Sequence, residues 1–261
     1  MKSIMICVSL IAIGLVITGK GYCKIDPETV VAIWLLDDDP GKTATDLSDN
    51  AHDGDIAGGG WVAGKFGSAL EFDGKTDHVE VPDAEGLDTV PQITVVCWTK
   101  YDKEPPQNYA PVGKEPLYRF IIGKGGSGHF VVATTDNAWY SAGTVASGSG
   151  ITSGEWHHLA GTYDGTKARF YIDGRLAGEG PQDISGDVLN NAAGFTMAKS
   201  IADNVDYLEG IVDEVAVFSV ALSEADIRTI MTVGLEKAYA GESAVSSPYK
   251  LNATWAAIKS Q

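Results

Sequence analysis

Two stretches of this 261-residue chain carry side chains that could do chemistry. The first, GEWHHLAGTYDGTKARFYIDGR over residues 154–175, sets His157 and His158 beside Trp156 and ahead of Tyr163, Arg169 and Tyr171. Adjacent histidines in such company suit general acid–base work or metal ligation. The second, DDDPGKTATDLSDNAHDGD over residues 37–55, gathers Asp37, Asp38, Asp39, Asp46, Asp49, Asn50, Asp53 and Asp55. Calcium takes hard oxygens of this kind, about six to eight at a time. The spacing is not that of an EF-hand, whose glycine and closing glutamate have fixed places. An exposed loop in which Asp and Asn cap turns accounts for the same composition.

The elements that must position these residues decide between the readings. Period two in EWHHLAGTYD sends Trp156, His158, Ala160 and Thr162 to one face and His157, Leu159, Gly161 and Tyr163 to the other. The two histidines then face opposite sides of a sheet and cannot share a metal or a proton relay. His158 is expected to be structural, hydrogen-bonded within or beside the core. In KARFYIDG, Ala168, Phe170 and Ile172 share a face opposite Arg169, Tyr171 and Asp173, the pattern of a sandwich strand.

Further strands are expected at 29–36, 68–74, 77–82, 92–100, 118–125, 129–135, 194–200 and 210–219, with Asp-Gly and Gly-Gly pairs as turns. One helix is expected after Ser223. Asp226 stands three residues on, as in a capping box, and Ile227, Ile230 and Met231 make its apolar stripe. Short strands with frequent turns predict an all-β, two-sheet antiparallel sandwich. One domain over 24–234 is read, without internal repeats, followed by a tail over 235–261 that either docks on it or trails.

Lys2 and the apolar run Ile4 to Ile17, followed by Thr18 to Cys23, read as a secretory signal peptide over residues 1–23. The run is short for a membrane span, which takes about 20 apolar residues; the other reading is an uncleaved N-terminal anchor. A secreted protein, extracellular or periplasmic, is expected. Of the cysteines Cys7, Cys23 and Cys97, the last alone lies securely in the mature chain, so no internal disulfide is expected. The chain has 35 Asp plus Glu against 19 Lys plus Arg, a net charge of −16, which disfavours nucleic acid and anionic membranes as partners.

DLSDNAHDG (46–54), GKFGSALEFDG (64–74), ITVVCWTK (93–100), GEWHHLAGTYDG (154–165), RFYIDGRL (169–176) and GIVDEVAVFSVALSEADI (210–227) together resemble the laminin-G-like, concanavalin A-like jelly-roll domains of secreted bacterial proteins. The resemblance spans nearly the whole mature domain. It implies the jelly-roll form of the sandwich, with Phe72, Trp156 and Tyr171 as architectural residues. It also implies a structural calcium as cofactor, linking the strand of Asp213 and Glu214 to the first loop, with Asp46, Asn50, Asp53 and Asp213 as ligands. Asp203, Asn204 and Asp206 form a second carboxylate group.

Glycosidases on such sandwiches place two carboxylates across the scissile bond. EFDGKT (71–76) begins like an alternating acidic run but ends in Thr76, and Glu80 has no evident partner. No G-x-S-x-G elbow, H-E-x-x-H or phosphate-binding glycine loop is present, so no catalytic residue is assigned. Sugar binding would use exposed aromatics that stack on pyranose faces. Tyr109, Tyr118, Trp139 and Tyr140 are the candidates, with Trp61 beside them, and AWYSAG (138–143) is the best placed. The expected function is non-catalytic recognition of a glycan or an extracellular protein; the alternative is a structural or adhesion domain without a sugar site.

Overall fold

β-branched and aromatic runs cut by glycine-containing turns give seventeen strands and two α-helices in the computed structural model, which describes residues 25–88, 90–136, 145–180, 185–200 and 207–240. In chain order the first strands are β1 (Val30–Trp34), β2 (Thr43–Ala44), β3 (Gly54–Ala57), β4 (Gly60–Ala63), β5 (Ser68–Asp73) and β6 (His78–Val81). Then come β7 (Ile93–Lys100), β8 (Asn108–Tyr109), β9 (Val112–Lys114), β10 (Tyr118–Gly123), β11 (Ser127–Val132) and β12 (Val145–Ser149). The series ends with β13 (His157–Tyr163), β14 (Ala168–Ile172), β15 (Arg175–Glu179), β16 (Phe195–Met197), β17 (Glu209–Phe218), α1 (Glu224–Val233) and α2 (Leu235–Ala240).

The strands form two antiparallel sheets. The eight-stranded sheet runs β15-β14-β13-β7-β17-β5-β4, with β1 also on β17; the nine-stranded sheet runs β12-β11-β10-β9-β16-β6-β3-β2, with β8 on β10. Each faces the other with its apolar row, so that Leu70, Phe72, Val95, Cys97, Leu159, Phe170, Val212 and Val217 meet Val79, Val81, Phe120, Phe130 and Phe195 in one core. Trp34 is fully buried there, stacked on Phe195 at 5.0 Å, and its indole N–H donates to His52 O at 2.8 Å.

The histidines divide as the alternation predicts: Leu159 joins the inter-sheet core and Ala160 the opposite face. β5 and β6, though consecutive, do not pair; the Asp73-Gly74 turn carries the chain from one sheet to the other. The helix after Ser223 has its capping box in place, and Ile227 and Ile230 are buried. The start of the predicted tail forms α2, whose Leu235 and Ala238 pack on the same cluster as α1. Residues 241–261 and the predicted signal segment lie outside the described residues. No helix among the described residues is long and apolar enough to cross a membrane.

Candidate ligand-binding cleft

The outer face of the eight-stranded sheet falls into three zones along its strands. At one end Val96, Ala160, Tyr171, Ala216 and Phe218 are covered by Ile227, Ile230, Leu235 and Ala238 of the helices. In the middle a register row sets Asp213 opposite Trp98 and Trp98 opposite His158. These three are almost wholly buried; the Trp98 and His158 rings meet edge to face at 5.2 Å, and the Lys65 ammonium lies 4.3 Å from the Trp98 ring centroid. At the far end the face opens into a cleft of about 480 Å³.

Its floor is a second register row, Gly60–Glu71–Ile211–Lys100, contributed by four neighbouring strands. One step outward, Asp73 pairs with Glu209. The turn carrying Asp77 and the segment carrying Asp102 and Lys103 form the walls. Gly74, at φ +70°, lets that turn close on Glu209, where a Cβ would come within 2.7 Å of the Glu209 Cβ. Among the described residues, five carboxylates and two lysines thus line the cleft. Lys103 forms an ion pair with Glu209, and Lys100 lies 4.0 Å from Asp102. Asp73 accepts from the backbone N–H groups of Lys75, Thr76 and Asp77. Those of Thr76 and Asp77 do most to hold its pKa down at about 2.

The predicted calcium ligands do not make one donor set. Asp46 Oδ1 accepts from Ile33 N and Ser48 N, both at 2.9 Å, and Oδ2 from Ser48 Oγ at 2.7 Å and His52 N at 2.9 Å. Asp53 Oδ1 accepts from Asp46 N at 2.8 Å, and Asn50 turns its Nδ2 toward Val30 O and Val31 O. On Asp46, donor hydrogens therefore occupy the directions in which a cation would need lone pairs, and Asp46, Asn50 and Asp53 together shape the turn that zips the loop along β1. Asp213 shares no hydrogen-bonding partner with them. Its Oδ2 accepts from Lys65 N and Phe66 N, while Oδ1 is buried without a partner. Among the described residues no three acidic, His or Cys side chains gather as a metal site. The expected set does not fit a calcium ion.

A register shift after Asp213, with Glu214 at φ +50°, is a β-bulge that turns both acids outward and returns Val215 to the core. Glu214 accepts from Leu235 N and so caps α2. Burial pushes the Asp213 carboxyl up to about 7 and that of Glu214 up to about 8.

Tyr109 and Tyr118 are corrected as sugar-stacking candidates. Both rings are buried, with hydroxyls donating to Lys103 O and Leu87 O, because each ring fills the space between the sheets. Trp61 is half-buried, its indole N–H donating to Gly41 O. Trp139, Tyr140 and the carboxylates at 203–206 lie outside the described residues. Phe72, His158 and Tyr171 are buried and Trp156 is half-buried. His157 Nδ1 lies 2.9 Å from Asp173 Oδ2, and the Asp173 Oδ1 accepts from His158 N. The cleft residues Glu71, Lys100, Lys103 and Glu209 went unassigned in the sequence, although the same-face pair Glu71 and Asp73 was their signal.

A sequence profile of laminin-G type, described as the concanavalin A-like lectin/glucanases superfamily, matches residues 73–228. No curated protein matches the chain in sequence. Among solved structures, domain 4 of AbnA, a GH43 extracellular arabinanase from Geobacillus stearothermophilus in complex with arabinotriose, is 21% identical. The match covers 78% of this chain and 98% of that one, with a TM-score of 0.61. The binding domain of Paraclostridial Mosquitocidal Protein 1 is 13% identical over 78% of this chain and 52% of that one, with a TM-score of 0.62. Trypanosoma rangeli sialidase in complex with DANA is 17% identical over 77% of this chain and 32% of that one, with a TM-score of 0.59. At these identities the likeness to the solved structures is one of fold.

Proposed function

Because the chain belongs to the laminin-G-like family of the concanavalin A-like lectin/glucanases superfamily, we propose that it is a non-catalytic extracellular carbohydrate-recognition module whose sugar sits in the cleft at the end of the eight-stranded sheet. The observation that carries this is the cleft itself. It has the size of a ligand site, about 480 Å³, and its floor is fixed by four hydrogen-bonded strands rather than by loops. Carboxylates accept from sugar hydroxyls and ammonium groups donate to them, so Glu71, Asp73, Asp102 and Glu209 with Lys100 and Lys103 supply both halves of polyol recognition.

Phe72 borders the cleft with its ring buried in the core, so recognition here runs through hydrogen bonds rather than stacking. The fold of a domain solved with arabinotriose supports the ligand class. Leu176 is the single large exposed apolar side chain among the described residues, which gives a protein-docking face no matching support.

Binding without chemistry is supported by where the proton-holding carboxyls sit. A general acid must keep its proton near neutral pH beside the substrate. Asp213 and Glu214, the carboxyls that burial raises toward neutral pH, lie beneath the 64–67 loop and α2, and backbone N–H groups hold the cleft's Asp73 low. The test is calorimetric titration of the purified protein with a panel of neutral and acidic oligosaccharides, alongside a reducing-end assay after prolonged incubation. Saturable binding that Glu71→Gln weakens roughly tenfold, the loss of about one charged hydrogen bond, is expected, with no new reducing ends. Absence of binding across the panel would refute the reading, and released reducing ends would refute its non-catalytic half.

A further inference from the structure

We infer that the cleft selects uncharged sugars and excludes sugar acids, with Glu71, Asp73, Asp77, Asp102 and Glu209 as the specificity-determining residues. This rests on the reading of the cleft as a glycan site and names the ligand class of that same site. Recognition of a sialic or uronic acid is served best by a cation whose charge is free to meet the ligand carboxylate, commonly an arginine fork. Among the described residues the cleft is lined by no arginine, and the charge of each of its two ammonium groups is already offset by a carboxylate: Lys103 by Glu209, and Lys100 by Asp102 at 4.0 Å.

Two of the remaining carboxylates are held by backbone hydrogen bonds, which sharpens the selection. Asp73 is held by three backbone N–H groups of its own turn, and Asp77 Oδ2 accepts from Asp73 N at 3.2 Å. Neither can swing away to let an anion in without breaking the turn that closes on Glu209. Glu71 stands in the floor row between Gly60 and Ile211, where strand pairing on both sides fixes its backbone. A ligand carboxylate in the cleft meets five carboxylates against two ammonium groups, and like-charge juxtaposition is a strong means of rejecting wrong partners. Neutral hydroxyls meet the same oxygens as hydrogen-bond acceptors.

The experiment compares arabinotriose, galactotriose and lactose with galacturonotriose and sialyllactose, by titration at low and at high ionic strength. Neutral sugars are expected to bind with little dependence on salt. The acids should bind more than about tenfold more weakly at low salt, with the gap narrowing at high salt as the charges are screened. Glu71→Gln and Asp102→Asn should narrow the gap at low salt, with the thermal midpoint of each variant recorded as the check on folding. The salt series on the unaltered protein tests the same point without any substitution. Acidic sugars binding as tightly as their neutral counterparts overturns this inference and leaves the glycan reading standing. If no sugar of either class binds, the glycan reading falls and this inference with it.

Discussion

At the scale of single residues, His158 shows what the sheet does to a group that looked catalytic. Its ring is fully buried against Trp98, neither ring nitrogen has a hydrogen-bond partner, and burial pushes its pKa down to about 3. In the unfolded chain a histidine titrates near 6.5. Between those values the unfolded state holds a proton that the folded state does not, so His158 makes stability fall as pH drops from about 6.5 toward 3. His158→Phe removes the proton site and keeps an apolar ring against Trp98. Urea unfolding measured from pH 7 to pH 4 should therefore show a shallower acid decline in the variant; parallel declines would mean that another group carries it. The opposed facing of His157 and His158 was legible in the sequence because period two is a local property. The burial of Tyr109 and Tyr118 was not, since tyrosine serves rims and cores alike and its surroundings are set by distant strands.

At the scale of elements, close packing of the two sheets depends on where side chains are missing. Gly161 of β13 lies against the Phe130 ring of β11 across the sandwich, and a Cβ there would collide with ring atoms. Gly161→Ala is expected to cost about 1–3 kcal/mol, as overpacking in a filled core does. It should appear as a lower urea midpoint with an unchanged slope, and an unchanged midpoint would show that the ring moves aside freely. The long strands were legible because alternation and Asp-Gly turns mark them, and so was α1, with Ser223 and Asp226 at its start. The strands β2, β3, β4, β8, β9, β12 and β15 were not. They are two to five residues long, most of them with one glycine, and are held by neighbours rather than by propensity. The partition of β5 and β6 between sheets was equally hidden, because a turn between two alternating runs looks the same whether it closes a hairpin or crosses a sandwich. The cleft was illegible for the same reason: Gly60, Glu71, Lys100 and Ile211 become neighbours only once β17 lies between β5 and β7.

At the scale of the whole molecule, a net charge of −16 invites a cation, and the acidic loop over residues 37–55 is where one was expected. The geometry gives that loop a different task. Asp46 joins β1, Ser48 and His52 through four hydrogen bonds, and Asp53 holds the Asp46 backbone in turn, so the loop's charge organises the chain. A metal bound by the folded state alone would raise the melting temperature by mass action. A hydrogen-bonded carboxylate contributes the same stability whether calcium is present or not. Asp46→Ala should therefore destabilise the protein by on the order of 2–4 kcal/mol, the sum of several modest hydrogen bonds, and by the same amount in excess calcium and in excess EDTA. The unaltered protein should melt at one temperature in both conditions. A calcium-reversible fall in that temperature, abolished by Asp46→Ala, would restore the loop as a metal ligand. If Asp213→Asn abolished the fall and Asp46→Ala did not, the ion would sit at the bulge, on the one buried carboxylate oxygen left without a partner among the described residues.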